Sequence, residues 1–274
     1  MNSTDRKKAD SLADILRTVG GIVKNRRTTA VIVAAGSSTR MGGETPKQFL
    51  PLCGMPIVAM TWRAYDDCEC IDDIILVVRA GDEPIYENYR EKFGFSKPYS
   101  IVVGGASRQE SVLCGIEAAA ENTAYFAIAD AARPLTTTEM IRSVCLAAYR
   151  YGAATAATPA VDTIKTADKK GFIGSTVERS TAWQASTPQV FLADLYRAAA
   201  YTAQKDGFTA TDDNSLVERI DRRIKLVDCG RENLKITSAV DIQIAEAIIS
   251  ERRREECAEV ADTKDEKESG GDRG

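Results

Sequence analysis

The stretch AVIVAAGSSTRMGG, residues 30–43, decides the fold of this 274-residue chain. Its first half is a continuous apolar run of strand length that ends at Gly36, as expected of a buried parallel strand. Similar runs recur as IILVV, IVVGG and YFAIAD, at residues 74–78, 101–105 and 125–130. Helical patterns separate or follow these runs, at residues 57–65, 83–93, 109–120 and 139–151. This alternation predicts an α/β fold with a mostly parallel sheet flanked by helices.

The alternation lapses after Ala160, where short extended pieces are separated by polar turns, which predicts an arm over about 161–190. Helices are then expected at 192–204 and 214–220, a strand at 224–229, and a closing helix from Ala239 to about Arg254. The predicted organisation follows from these patterns: a helical N-terminal extension (1–27), one α/β domain (28–250) and a charged, disordered tail (251–274).

The composition excludes several functions. The chain has no histidine, which excludes Ser-His-Asp catalysis and histidine metal ligation. A formal charge of -4 gives no basic field for a nucleic-acid polymer, and no apolar run is long enough for a membrane span. The seven cysteines show no spacing typical of a zinc site or a disulfide framework, so we expect no protein-built metal site and a cytoplasmic protein.

The loop after the first strand has the chemistry of a phosphate site. Small residues allow backbone N–H groups to approach phosphate oxygens, and Arg40 and Lys47 add two cations. The alternative is a turn with glycines and solvated cations, but the position after a buried strand favours a ligand site. The loop lacks the glycine spacing of dinucleotide-binding dehydrogenases. We therefore predict a bound triphosphate.

A series of motifs runs along the chain. It begins with the loop segment AAGSSTRMGGETPKQFLPLCGMPI and continues with GGASRQESVLCGIEA (104–118), DAARP (130–134), DTIK (162–165), VERSTAW (177–183), STPQVF (186–191), TDDNSLVE (211–218) and ENLKIT (232–237). In sequence and in order, these motifs resemble those of one enzyme family, the 2-C-methyl-D-erythritol 4-phosphate cytidylyltransferases. The resemblance spans about 28–250 and implies a Rossmann-like, glycosyltransferase-A-like fold with a protruding β-arm.

The resemblance also implies roles for individual residues. Arg40 and Lys47 match the pair that stabilises the pentacoordinate transition state, and Arg179 and Lys235 match the other two catalytic cations. The remaining matches are substrate-binding positions. Those for CTP are Ala34, Ala35, Gly36, Gly105, Arg108 and Ser111; those beside the ribose and second substrate are Asp130 and Arg133; those that orient the methylerythritol phosphate, with Arg179 and Lys235, are Thr163 and Thr187. Two positions depart from the family pattern: Ala129, where histidine is common, and Ala106, where an acid is common. Neither removes a cation assigned to catalysis, and Ala106 lies on the cytosine side.

The reaction implied is attack by a polyol phosphate on the α-phosphorus of CTP, with Mg²⁺ held mainly by the CTP phosphate oxygens and no protein-built metal site. The resemblance further implies a homodimer in which the arm delivers Arg179 to the partner's site. Ribitol-5-phosphate cytidylyltransferase, which uses the same nucleotide and chemistry, is the nearest alternative. A catalytically silent nucleotide-binding protein is a more remote one.

Overall fold

The computed structural model describes the backbone of residues 26–36 and 45–269, and the side chains as far as Glu255. The helix predicted within the N-terminal extension lies outside this range, as does Arg40. The described chain contains eleven strands: β1 Thr28–Val33, β2 Pro51–Leu52, β3 Met55–Pro56, β4 Asp73–Val78, β5 Tyr99–Val103, β6 Tyr125–Asp130, β7 Ala153–Pro159, β8 Lys165–Ala167, β9 Ile173–Thr176, β10 Trp183–Leu192 and β11 Lys225–Asp228.

Seven of these strands form the central sheet, in the order β11-β7-β10-β6-β1-β4-β5. The pairs β6–β1, β1–β4, β4–β5 and β11–β7 are parallel, whereas β10 runs antiparallel to both neighbours. The buried strands β1, β4 and β6 are the apolar runs identified in the sequence. The predicted mostly parallel α/β sheet is therefore confirmed.

Helices cover both faces of the sheet: α1 Ile57–Asp67, α2 Glu83–Phe93, α3 Arg108–Glu117, α4 Thr138–Tyr151, α5 Ala193–Lys205, α6 Asp213–Arg219 and α7 Ala239–Ser269. On one face, Trp62 of α1 and Val144 of α4 belong to the same apolar core as Ile32. On the other, Val112 of α3 and Tyr196 of α5 pack with Val31. Adjacent β1 residues thus serve opposite cores, as the alternation of side chains along a strand requires.

The arm protrudes from the paired strands β7 and β10. At its base, Ala160 N donates a hydrogen bond to Ala182 O at 2.9 Å. Its outer part is the β8–β9 hairpin, and the residues of both strands are exposed. The predicted end at about residue 190 was too late, because Gln189–Leu192 pair with β6 inside the sheet. The apolar residues Val190 and Phe191 are fully buried there. The arm therefore ends where the side chains of β10 become buried in the sheet.

The closing helix is longer than predicted, since α7 continues to Ser269 where the sequence indicated a disordered tail. Ala245 and Ile249 anchor the helix by packing with Leu52 and Ile236. Once a helix is anchored, each further residue adds a hydrogen bond at little cost, and the Glu, Lys and Ala residues that follow are good helix formers. High charge alone therefore did not justify the prediction of disorder.

Candidate active site at the carboxyl edge of the sheet

The predicted site residues converge on one edge of the sheet. β1, β5 and β6 end there: Gly36 and Gly105 lie in the loops after β1 and β5, and Asp130 is the last residue of β6. Because β10 is antiparallel, its sheet portion begins at this edge, near Thr187. The segment after β11 arrives at the same edge and carries Lys235. This is the edge at which α/β sheets bind ligands.

The loops after β1 and β5 are in close contact. A Cβ atom at Gly104 would lie 2.6 Å from Cβ of Ala35 and 2.7 Å from Oγ of Ser111. The Ser111 hydroxyl donates to the carbonyl oxygen of Ser107 at 2.8 Å. The carbonyl oxygen of Gly105 lies 3.4 Å from the same hydroxyl. Only glycine at position 104 permits this close contact. The loop that follows β1, with Ala34, Ala35 and Gly36, therefore packs against the loop that leads into α3.

The start of α3 is a complete capping box. Ser107 Oγ accepts from Glu110 N at 3.1 Å, and Glu110 Oε2 accepts from Ser107 N at 3.3 Å. The same carboxylate oxygen accepts from Ala106 N at 2.7 Å. Ala106, which lacks the acid common in the family, thus has a neighbouring acid held against its backbone.

Asp130 is the electrostatic centre of this edge. Its carboxylate lies 2.8 Å from Lys235 Nζ, 3.1 Å from Arg108 Nε and 3.6 Å from Arg133 Nε. Burial alone would raise the pKa of Asp130, but Arg108, Lys235 and Arg133 outweigh it and hold the pKa well below its ordinary value. The carboxylate is therefore ionised throughout the neutral range and cannot serve as a general base near pH 7.

Arg108 is held between two carboxylates. Its Nη1 lies 2.8 Å from Asp213 Oδ2, while its Nε reaches Asp130. Asp213 is buried at the start of α6, where the Tyr196 hydroxyl donates to its Oδ1 at 2.5 Å. The guanidinium is consequently fixed in one orientation at the entrance to α3.

Asn233 connects the segments around Arg133. Its Nδ2 donates to Thr187 O at 2.8 Å, and its Oδ1 accepts from Thr136 Oγ1 at 3.0 Å. Arg133 Nη1 in turn donates to the Asn233 carbonyl at 2.6 Å. Thr187 is buried in the irregular register of β10, and its Oγ1 accepts from Asp130 N at 3.1 Å. These bonds place Arg133, Thr187 and Asp130 in one rigid framework.

Lys47 contacts the segment that carries Lys235. It opens the 3-10 turn Lys47–Phe49, and its Nζ donates to Ile236 O at 3.0 Å. Ile236 N donates to Ala132 O at 2.8 Å, which ties the residue after Lys235 to the loop after β6. The structure thus brings together Lys47, Lys235 and Arg133, three of the cations singled out in the sequence.

An open cleft of about 540 Å³ lies beside this framework. Arg133, Lys235 and Asn233 line it, together with Asp162 at the root of the arm. The cleft is large enough for a small phosphorylated polyol.

Two of the predicted residues lie away from Asp130. Thr163 is exposed on the arm, and Arg179 is an exposed residue of the 3-10 turn Arg179–Thr181, with Nη1 3.5 Å from Val161 O. Arg179 lines a second cavity of about 450 Å³, together with Asp228 and Arg231. Within one chain, the arm therefore contributes neither Thr163 nor Arg179 to the cluster around Asp130.

The chain matches the family model for 2-C-methyl-D-erythritol 4-phosphate cytidylyltransferase over residues 28–251. It belongs to this family. The cytidylyltransferase of that name from Caldanaerobacter subterraneus is 44% identical over 223 residues, which cover 81% of this chain and 98% of the relative. The corresponding protein from Pelotomaculum thermopropionicum is 40% identical over 228 residues, which cover 83% of this chain and 96% of the relative.

Solved structures of the cytidylyltransferase family share this fold. The synthase from Anaerococcus prevotii superposes with a TM-score of 0.76 at 27% identity, covering 84% of this chain and 99% of that one. The cytidylyltransferase from Thermus thermophilus superposes with a TM-score of 0.67 at 29% identity, covering 81% and 98%. The resemblance proposed from the motifs is confirmed.

Three residues that hold the cytidylyltransferase site together were not predicted from the sequence. Asp213 and Asn233 lie within the motifs TDDNSLVE and ENLKIT, but the resemblance implies no role for either. Gln189 is buried, and its Oε1 accepts from the backbone N of Asp213 at 3.1 Å. The available signal was polarity at buried positions: an Asp-Asp pair that begins a helix, and a glutamine inside the apolar end of β10.

Proposed function

We propose that this chain transfers CMP from CTP to 2-C-methyl-D-erythritol 4-phosphate, giving 4-diphosphocytidyl-2-C-methyl-D-erythritol and pyrophosphate. The observation that carries the proposal is the cation cluster around Asp130, which lies at the ligand-binding edge of a chain that belongs to this family. Reactions of anionic phosphates need fixed positive charge, and this edge supplies it.

The proposed chemistry is an in-line displacement. A phosphate oxygen of the polyol phosphate forms a bond to the α-phosphorus of CTP, while the bond from that phosphorus to the bridging oxygen breaks and pyrophosphate leaves. The attacking phosphate is already ionised at neutral pH, so no general base is required. Lys47 and Arg40 would neutralise negative charge on the oxygens around the reacting phosphorus, with Lys47 held by the carbonyl of Ile236.

The first substrate would bind between the loops after β1 and β5. Backbone groups at Ala34, Ala35 and Gly36 would face the triphosphate, while Gly105 and Ser111 would lie beside the cytosine. The close packing at Gly104 supports this arrangement because it sets the spacing of the two loops. Arg108, fixed between Asp130 and Asp213, would complete the CTP side.

The second substrate would bind in the cleft beside Asp130. Lys235 and Arg133 line this cleft, and Thr187 is tied to its wall through Asn233. Charged donors held by Asp130 would orient the attacking phosphate without a change of conformation.

The divalent metal implied by the family resemblance would be bound by the substrate and not by protein side chains. Among the described residues, no group of three or more acidic or thiol side chains could hold a metal ion, and the Asp130 oxygens already contact cations. We therefore propose that Mg²⁺ is carried by the CTP phosphate oxygens, where it would neutralise their charge.

The assembly we propose is a homodimer joined through the arm. Arg179 and Thr163 lie away from the Asp130 cluster of their own chain, and exposed apolar residues flank them. Phe172 and Ile173 at the hairpin are each 69% exposed, which is typical of a surface that another chain covers. Each arm would then complete the partner's site.

The compartment we propose is the cytoplasm. The chain carries seven cysteines without paired spacing, and the six that the structure describes are free thiols. In the described part of the chain, no helix combines the length and apolar character that crossing a membrane would need.

The deciding experiment measures pyrophosphate release from CTP and Mg²⁺ with either methylerythritol 4-phosphate or ribitol 5-phosphate. Release with methylerythritol phosphate alone is the expected result. A preference for ribitol phosphate would overturn the proposed substrate and keep the chemistry. Tight CTP binding without turnover of either compound would indicate a silent nucleotide-binding protein.

A further inference from the structure

Arg231 lies where two cavities of the cytidylyltransferase meet. It lines the cleft that also contains Arg133 and Lys235, and it lines the smaller cavity that contains Arg179. Gly230 belongs to both walls as well. No motif of the sequence includes Arg231, yet its position places a positive charge between the cations Arg133 and Lys235 and the arm residue Arg179.

The backbone that carries Arg231 is held firmly. Cys229 N donates to Ala157 O at 3.0 Å, and Gly230 N donates to Asp228 Oδ1 at 3.0 Å. Thr158 Oγ1 donates to the carbonyl of Gly230. Gly230 has a φ of +69°, a left-handed conformation that lets the chain turn sharply at the end of β11. The turn therefore fixes where the Arg231 side chain leaves the backbone.

The acids closest to Arg231 in sequence, Asp228 and Glu232, contact other groups. Glu232 Oε2 accepts from Arg252 Nε at 3.0 Å and from Arg252 Nη2 at 2.8 Å, so the acid next in sequence does not neutralise Arg231. Asp228 accepts from the backbone of Gly230. In the part of the chain that the structure describes, no ion pair involves Arg231, whereas Lys235 and Arg133 both share Asp130.

We propose that Arg231 binds the phosphate group of the second substrate, a polyol phosphate monoester, from the part of the cleft wall that is shared with the cavity of Arg179. A dianionic monoester needs more donors than Lys235 and Arg133 leave free, and a guanidinium can donate two parallel hydrogen bonds to one phosphate. This inference rests on the proposed function, because it assigns a further contact to the same second substrate.

The test compares Arg231→Ala with Arg223→Ala, which removes the same charge from the opposite end of β11. Loss of a charged hydrogen bond to substrate predicts a rise of about 10- to 100-fold in the KM for methylerythritol 4-phosphate, with the KM for CTP changed by less than about twofold. Arg231→Lys should recover part of the loss, since it keeps the charge without the fork. Arg223→Ala should behave as the wild type.

An unchanged KM for the polyol phosphate in Arg231→Ala would overturn the inference, as would an equal rise in both KM values. Thermal melting of each variant identifies a general loss of structure, and Arg231→Lys then provides the decisive comparison. The proposed function is judged separately: it fails only if the wild-type protein releases no pyrophosphate with this substrate.

Discussion

Lys235 Nζ lies 2.8 Å from Oδ2 of Asp130, across a separation of 105 positions in the chain. The ion pair joins the segment after β11 to the end of β6, and Arg108 and Arg133 approach the same carboxylate. Asp130 is therefore a buried counter-ion that keeps three cations close together in the free protein. Without it, their mutual repulsion would oppose the arrangement that two phosphate substrates require.

The Asp130→Asn variant should lose both stability and activity. Removing one partner from a buried charge cluster costs on the order of 3–5 kcal/mol, because the remaining charges lose their compensation. We expect a decrease of this size in the free energy of unfolding in urea at pH 7, and a fall of at least about 100-fold in kcat/KM for the polyol phosphate. An unchanged unfolding free energy would contradict the counter-ion role.

The stability supplied by Asp130 should depend on pH in one direction. Its pKa is lower in the folded protein than in the unfolded chain, since the cations outweigh burial. Its contribution is thus fully present above the unfolded pKa of about 4 and is lost as pH falls through the folded pKa. The difference in unfolding free energy between wild type and Asp130→Asn should stay constant from about pH 8 to 5 and shrink below about pH 4. An equal difference at about pH 3 and pH 7 would rule this out.

Asp213 should act on CTP binding through Arg108, which it holds by a 2.8 Å ion pair. We expect Asp213→Asn to raise the KM for CTP by about tenfold and to leave the KM for the polyol phosphate nearly unchanged. Tyr196→Phe is the matched control, because it removes one hydrogen bond to Asp213 and keeps the ion pair. Equal changes in both KM values would indicate a general structural role instead.

The sequence predicted the strands whose residues are β-branched and continuously apolar. It missed β7, AATAATP, because alanine has a low preference for strands. Pairing with β10 and β11 on either side places this segment in the sheet, and such long-range pairing leaves no local pattern. The end of the arm was misplaced for a related reason, since the polar residues Thr187 and Gln189 are buried in β10.

The site was predictable where a short motif carries the functional residue. The motifs identified Asp130, Arg133 and Lys235, and the structure brings these residues together. The supporting bonds of Asn233 and Asp213 were not predictable, because they join segments that are distant in sequence. The separation of Arg179 from its own chain's cluster became visible only with the fold, although the resemblance had implied exchange between subunits.

Gly104 should be intolerant of a side chain. A Cβ atom there would lie 2.6 Å from Ala35 Cβ, a distance that forces the loops after β1 and β5 apart. Overpacking of this kind costs about 1–3 kcal/mol, so Gly104→Ala should lower the melting temperature and weaken CTP binding measured by calorimetry. Gly36→Ala is the control, since no described atom lies within 4 Å of its added Cβ. It should keep the wild-type melting temperature while weakening CTP binding.

Mixed subunits test whether the arm completes the partner's site. In a two-fold dimer each site would use Lys47 from one chain and Arg179 from the other. Arg179→Ala and Lys47→Ala proteins should each be nearly inactive alone. After unfolding and refolding together, half of the dimers should be mixed, and each should hold one intact site, restoring about a quarter of the wild-type rate.

The control places both substitutions in one chain and mixes it with wild type. Mixed dimers then contain no intact site, because one site lacks Lys47 and the other lacks Arg179. The residual activity should come only from wild-type dimers. Shared sites therefore predict about a quarter of the wild-type rate in this control, whereas sites built within one chain predict about half. Recovery in the first mixture above the activity of either variant alone requires that a site draws on both chains, whereas no recovery would place Arg179 outside the reaction or within its own subunit's site. The exposed apolar hairpin at Phe172 and Ile173 provides a separate check, since charged residues there should dissociate the dimer and abolish the recovery.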